Sequence, residues 1–97
     1  MVKRIRTLWT DEDNYEISKI VLEEYVIKQS NKKVSELANE LKLPTVHPKS
    51  SIRVKIQNTK YLLEHANVPN TLKISARSHY SSAHLTQFNK ARADLKV

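Results

Sequence analysis

The chain has 97 residues, a net charge of +7 and no cysteine, which allows one modest core and excludes disulfide frameworks and thiolate metal sites. It has no glycine, so glycine loops that cradle phosphates are excluded and asparagine is expected at left-handed turns, with Asn31, Asn67 and Asn70 placed to supply them. No apolar run approaches membrane-spanning length, and nothing apolar follows the basic start MVKRIRTLW, so neither a membrane span nor a signal peptide is expected and a cytoplasmic location is.

In chain order, residues 1–8 read as a basic arm carrying Arg4 and Arg6. Thr10 is an expected N-cap, with Asp11, Glu12 and Asp13 in a first turn whose dipole favours anions. A first helix is expected from Asp11 to about Gln29. Trp9 leads into it, and Ile17, Ile20, Val21 and Ile27 are read on its core face. Tyr15, Leu22 and Val26 form a second apolar stripe, a candidate protein interface or homodimer seam unless a later helix covers it. Val34, Leu37, Ala38 and Leu41 give a second helix over about Lys33 to Lys42, and Pro44 stops it. Pro48 suits the first turn of a third helix. There Ile52, Ile56, Thr59 and Leu63 face the core, while Ser50, Arg53, Val54, Gln57 and Tyr61 face outward. Lys55 lies nearer the core side, its stem covering apolar surface. Residues 64–80 have no clear period and read as a connector. A fourth helix, capped by Ser81 or Ser82, runs from Ala83 to about Leu95 with Leu85, Phe88, Ala91 and Leu95 along it. The expected architecture is all-α: one domain over 1–97, with a three-helix core at 9–63 in a helix-turn-helix bundle and an additional C-terminal helix at 81–97.

Charge divides along the chain. Residues 1–48 hold 8 Lys+Arg against 8 Asp+Glu, whereas residues 49–97 hold 9 against 2, which accounts for the whole net charge of +7. A neutral helical half followed by a basic outward helix is the layout of a small DNA-binding domain. The third helix is thus expected in the major groove of double-stranded DNA. Arg53 suits guanine and Gln57 adenine. Lys49, Ser50 and Lys60 suit phosphates, Arg4 and Arg6 an adjacent minor groove, and Arg77 (with Lys73, Lys90 and Arg92) an extended phosphate track.

Two stretches also carry a family resemblance. Trp9-Thr10-Asp11-Glu12-Asp13, then Ile17, Val21 and Tyr25, then Val34, Leu37-Ala38 and Leu41, resemble the opening of a Myb/SANT-like three-helix repeat. Ser50-Ser51-Ile52-Arg53-Val54-Lys55-Ile56-Gln57-Asn58 resembles the third helix of the helix-turn-helix module that precedes HNH-type nuclease domains in bacterial restriction endonucleases. The resemblance covers about Trp9 to Leu63. It implies a compact DNA-reading module, with Ser50, Arg53 and Gln57 on DNA and Lys55 and Asn58 in structural or backbone-contact roles. Val34 stands near the place of the second Myb-type tryptophan, and His47-Pro48 replaces the usual Arg-Thr before the third helix. No nuclease domain is read here, so cleavage does not carry over.

No active site, cofactor site or metal site is read in the sequence, so the expectation is not an enzyme. His47, His65, His79 and His84 show no ligand spacing and are read as surface or DNA-proximal. The leading expectation is a sequence-preferring binder of double-stranded DNA, such as a small bacterial or phage regulator. The alternative is a phage or mobile-element inhibitor of a host defence nuclease (Cas9 or a restriction enzyme), an anti-CRISPR in the first case. Its partner would be the nuclease or a nuclease–guide RNA complex. RNA binding fits less well, because few exposed aromatics are available for stacking.

Overall fold

The computed structural model describes residues 8–97, and they form an all-α fold: α1 (Asp11–Leu22), α2 (Val34–Glu40), α3 (Lys49–His65) and α4 (Ser82–Leu95). No strand occurs among the described residues, and no helix there is long and apolar enough to cross a membrane. The basic arm, with Arg4 and Arg6, lies outside the described residues.

α1 begins where the capping chemistry directs. The Thr10 hydroxyl accepts from the Asp13 amide at 3.1 Å, and the Asp13 carboxylate accepts from the Thr10 amide at 3.1 Å. This reciprocal box satisfies two backbone donors at once. The helix continues past Leu22 as a π-helical turn, Glu23–Ile27, and ends at Gln29, whose φ is 52°. Ile17, Val21, Leu22 and Tyr25 are buried along it. Ile27, expected on the core face, is 49% exposed. The π-helical turn holds more residues than an α turn, so the spacing that would align Ile27 with the core face no longer applies there. Of the residues expected at left-handed turns, only Asn67 takes one; the others are Gln29 and Lys96.

α4 starts at Ser82, with the Ser81 hydroxyl accepting from the His84 amide at 3.1 Å. It packs antiparallel along α1: the Tyr15 hydroxyl, near the start of α1, donates to Asp94 Oδ2 at 2.5 Å near the end of α4. Lys90 Nζ stands 5.7 Å from the Tyr15 ring centre. α3 crosses both, burying Ile52, Ile56, Leu62 and Leu63 against the α1 stripe and Phe88. α2 is only seven residues long, below the length at which a helix holds itself, and it is kept in place by burying Val34 and Leu37.

Residues 41–48 connect α2 to α3, and these eight are more than the about three or four of a helix-turn-helix turn. They are anchored on Asp13. Its Oδ1 accepts from the Thr45 amide at 2.9 Å, and its Oδ2 lies 2.9 Å from His47 Nε2. The His47 ring stacks on Trp9 with centroids 4.0 Å apart. His47 is therefore a buried structural residue, not the surface or DNA-proximal one expected. The same correction holds for His84, which is wholly buried with Nε2 3.1 Å from Thr59 Oγ1. Those two rings pack inside because each finds a polar partner on another element, His47 on α1 and His84 on α3.

Candidate nucleic-acid interface

α3 carries the site, and its two halves differ. No described side chain caps its first turn, so the amides following Pro48 point out unpaired by the fold. Lys49, Ser50 and Arg53 are exposed there. Arg53 makes no ion pair among the described residues. It stands on the wall between two concavities. One groove, of about 340 Å³, runs past Lys49, Ser50 and Asn39. The other, a cleft of about 360 Å³, lies between the residues leading into α2, Arg53, and residues 71–75 of the connector.

The C-terminal half of α3 is covered. The connector, without apolar period, nonetheless has a defined path. Thr71 ties it to the end of the first helix: its amide donates to the Tyr25 carbonyl at 2.8 Å and its hydroxyl to the Ser30 carbonyl at 2.6 Å. Farther on, the Arg77 amide donates to the Gln57 carbonyl at 3.2 Å. The Asn58 amide, in the orientation that satisfies its neighbours, donates to the Arg77 carbonyl at 2.8 Å. Tyr80 stacks on Tyr61 with ring centres 5.8 Å apart. Gln57 and Tyr61 are accordingly half-buried.

Lys60 projects on the same side of α3 as Arg53, but unlike Arg53 it is engaged within the fold. Its ammonium donates to Asn70 Oδ1 at 3.0 Å and the Leu72 carbonyl at 2.8 Å, and pairs with Glu64 at 3.3 Å. Two of the three ammonium protons are thus committed to the connector, and the Glu64 carboxylate lies beside the charge. Lys60 braces the connector. Lys55 does cover apolar surface: its Nζ lies 5.2 Å over the Trp9 ring, and burial lowers its pKa.

The expected protein interface is not a free stripe. Leu22 is wholly buried, Val26 is half-buried, and Tyr15 is half-buried with its hydroxyl on Asp94. α4 accounts for part of this by packing along α1. Arg77 and Lys73 are both exposed on the connector. Lys73 reaches the cleft beside Arg53, and Arg77 does not line it. Lys90 and Arg92 lie on α4, with Arg92 5.9 Å from the Phe88 ring, so neither joins this surface. Lys33, read only as a helix start, proves to be a cleft residue with Lys32. Lys32 is already paired with Glu24 at 3.5 Å and Glu40 at 2.5 Å. Lys33 and Lys73 make no ion pair among the described residues. Two lysines in unpatterned segments give no sign in the sequence that the fold brings them together. No group of three metal-ligating side chains converges among the described residues. Comparison with protein-family models, with curated proteins and with solved structures yields no match for this chain.

Proposed function

We propose that this protein binds double-stranded DNA with the N-terminal half of α3. The observation that carries the reading is the placement of Arg53: exposed, unpaired among the described residues, and flanked by Lys49 and Ser50 on one side and by Lys33 and Lys73 on the other. Recognition helices meet base edges chiefly with their N-terminal residues, and that is the half of α3 left open. Arg53 is the base reader, its planar fork matching guanine in the major groove. Lys49, Ser50 and the uncapped amides of the first turn hold the flanking phosphate. Gln57, half-covered by the connector, contributes less than Arg53. α2 and α3 act as a helix-turn-helix with a lengthened turn, locked by Asp13 and His47.

Fluorescence anisotropy with a labelled random-sequence duplex tests this. The parent protein binds tightly at low salt and weakly at physiological salt. Arg53→Ala weakens binding by about ten- to a hundredfold, and Lys49→Ala does so less and without regard to sequence. No binding at low salt would overturn the reading and turn the basic face toward a protein or ribonucleoprotein partner. Variants that bind like the parent would show that α3 is the wrong surface.

A further inference from the structure

We infer that the cleft between the start of α2, Arg53 and the connector is a binding site for the phosphate of a nucleotide unit. The inference rests on the DNA reading and deepens it, sharing Arg53 with it and giving Lys33 and Lys73 a ligand. Lys33, Arg53 and Lys73 line the cleft, and no aspartate or glutamate does. Lys32 adds little charge, since Glu24 and Glu40 already hold it. Three cations without a counter-charge at one concavity repel one another, and an anion between them removes that cost. Phosphate suits the donors available: two ammonium groups and a guanidinium fork, with the hydroxyls of Ser35 and Ser75 beside them.

Three further features shape the site. Its volume, about 360 Å³, exceeds what a phosphate ion alone fills and admits a sugar as well. Val34 and Ile74 provide the apolar wall that a ribose or deoxyribose packs on. The site is also preformed. Thr71 bonds the carbonyls of Tyr25 and Ser30, which fixes the connector against the turn leading into α2. Its hydroxyl proton is spent on Ser30, so Thr71 builds the cleft and does not donate into it. The phosphate comes either from a strand running past α3 or from a free nucleotide, and the same groups recognise both.

Amide chemical shifts of the full chain, followed by nuclear magnetic resonance, test the site with inorganic phosphate, adenosine monophosphate and a short DNA duplex, each against chloride at matched ionic strength. At least one phosphate probe is expected to move the amides of Val34, Ser35, Ile74 and Ser75 saturably. Lys33→Ala/Lys73→Ala weakens that binding by about tenfold or more. Both lysines are exposed and bond nothing else among the described side chains, so the fold survives and a thermal melt checks it. Lys19→Ala/Lys42→Ala, which loses the same charge outside the cleft, binds like the parent. Saturation by the duplex alone identifies the strand as the source; saturation by the mononucleotide or phosphate identifies a free ligand. The site is ruled out if chloride reproduces the shifts, or if the cleft variant binds every probe as the parent does. Duplex binding that depends on Arg53 and Lys49 but ignores Lys33 and Lys73 removes the cleft and leaves the α3 reading. Nucleotide saturation without duplex binding does the reverse.

Discussion

Asp13 concentrates more of the fold than any other single carboxylate. It caps α1, holds the Thr45 amide and meets His47, all while having no solvent exposure. Burial works to raise its pKa, but the hydrogen bonds from His47, Thr10 and Thr45 outweigh it and leave the value lowered to about 2. The carboxylate is thus more acidic in the fold than in the unfolded chain, at 3.8. Its stabilisation is present above 3.8 and is lost as the pH falls toward 2. Asp13→Ala leaves buried donors without an acceptor and is expected to cost about 3 kcal/mol in urea unfolding, with the 41–48 connection loosened.

His84 is the second pH-sensitive residue. The Thr59 hydroxyl donates to the Lys55 carbonyl at 2.8 Å, so Thr59 accepts from the His84 Nε2–H. Burial first, and the Lys55 charge second, push its pKa down to about 3 from 6.5. Below pH 6.5 the unfolded chain takes up a proton that the folded chain refuses, so stability falls as the pH drops from 6.5 toward 3. Thermal melts between neutral pH and pH 4 are expected to show a declining midpoint. His84→Leu flattens that decline and leaves the Asp13 loss at lower pH. An unchanged slope would mean that His84 is not the group responsible.

At the scale of elements, the decisive relation is between α3 and the connector. Arg53 and Lys60 are seven residues apart, about two helical turns, so they point the same way. The connector crosses over the second and not the first. Lys60→Ala is therefore expected to destabilise the fold by about 1–3 kcal/mol, from the lost bonds to Asn70 and the Leu72 carbonyl, while the salt dependence of DNA binding stays as in the parent. Had Lys60 met phosphate, the opposite pair of effects would be measured. The helices themselves were legible from the sequence. Thr10 and Ser81 cap as their chemistry suggests, and the Ile52, Ile56, Thr59 and Leu63 spacing places the buried side of α3. These signals are local, spanning one or two turns. The connector was not legible, because its order comes from Thr71, Asn70 and Arg77 bonding to helices that begin or end elsewhere.

At the scale of the molecule, the positive charge of the second half is not spread evenly. Lys60 is neutralised internally and Lys55 lies over Trp9, whereas Lys49, Arg53 and Lys73 join Lys33 from the first half around the start of α3 and its neighbouring cleft. Four cations on one surface predict a plot of log affinity against log salt with a slope of roughly −3 to −4 for duplex DNA. Removing Lys33 and Lys73 together lowers that steepness if the strand runs through the cleft.

The amino-acid sequence by itself determined the all-α class, the caps, the approximate span of each helix and the basic character of α3, because these follow from periodicity and side-chain chemistry within a few residues. The tertiary structure alone decided which polar groups gain partners from other elements of the fold. Lys60 and His47 are spent on partners distant in the chain, Leu22 is covered, and Lys33 and Lys73 meet Arg53 across a cleft. A charged side chain looks alike in sequence whether or not the fold delivers an acceptor to it, and only packing settles that.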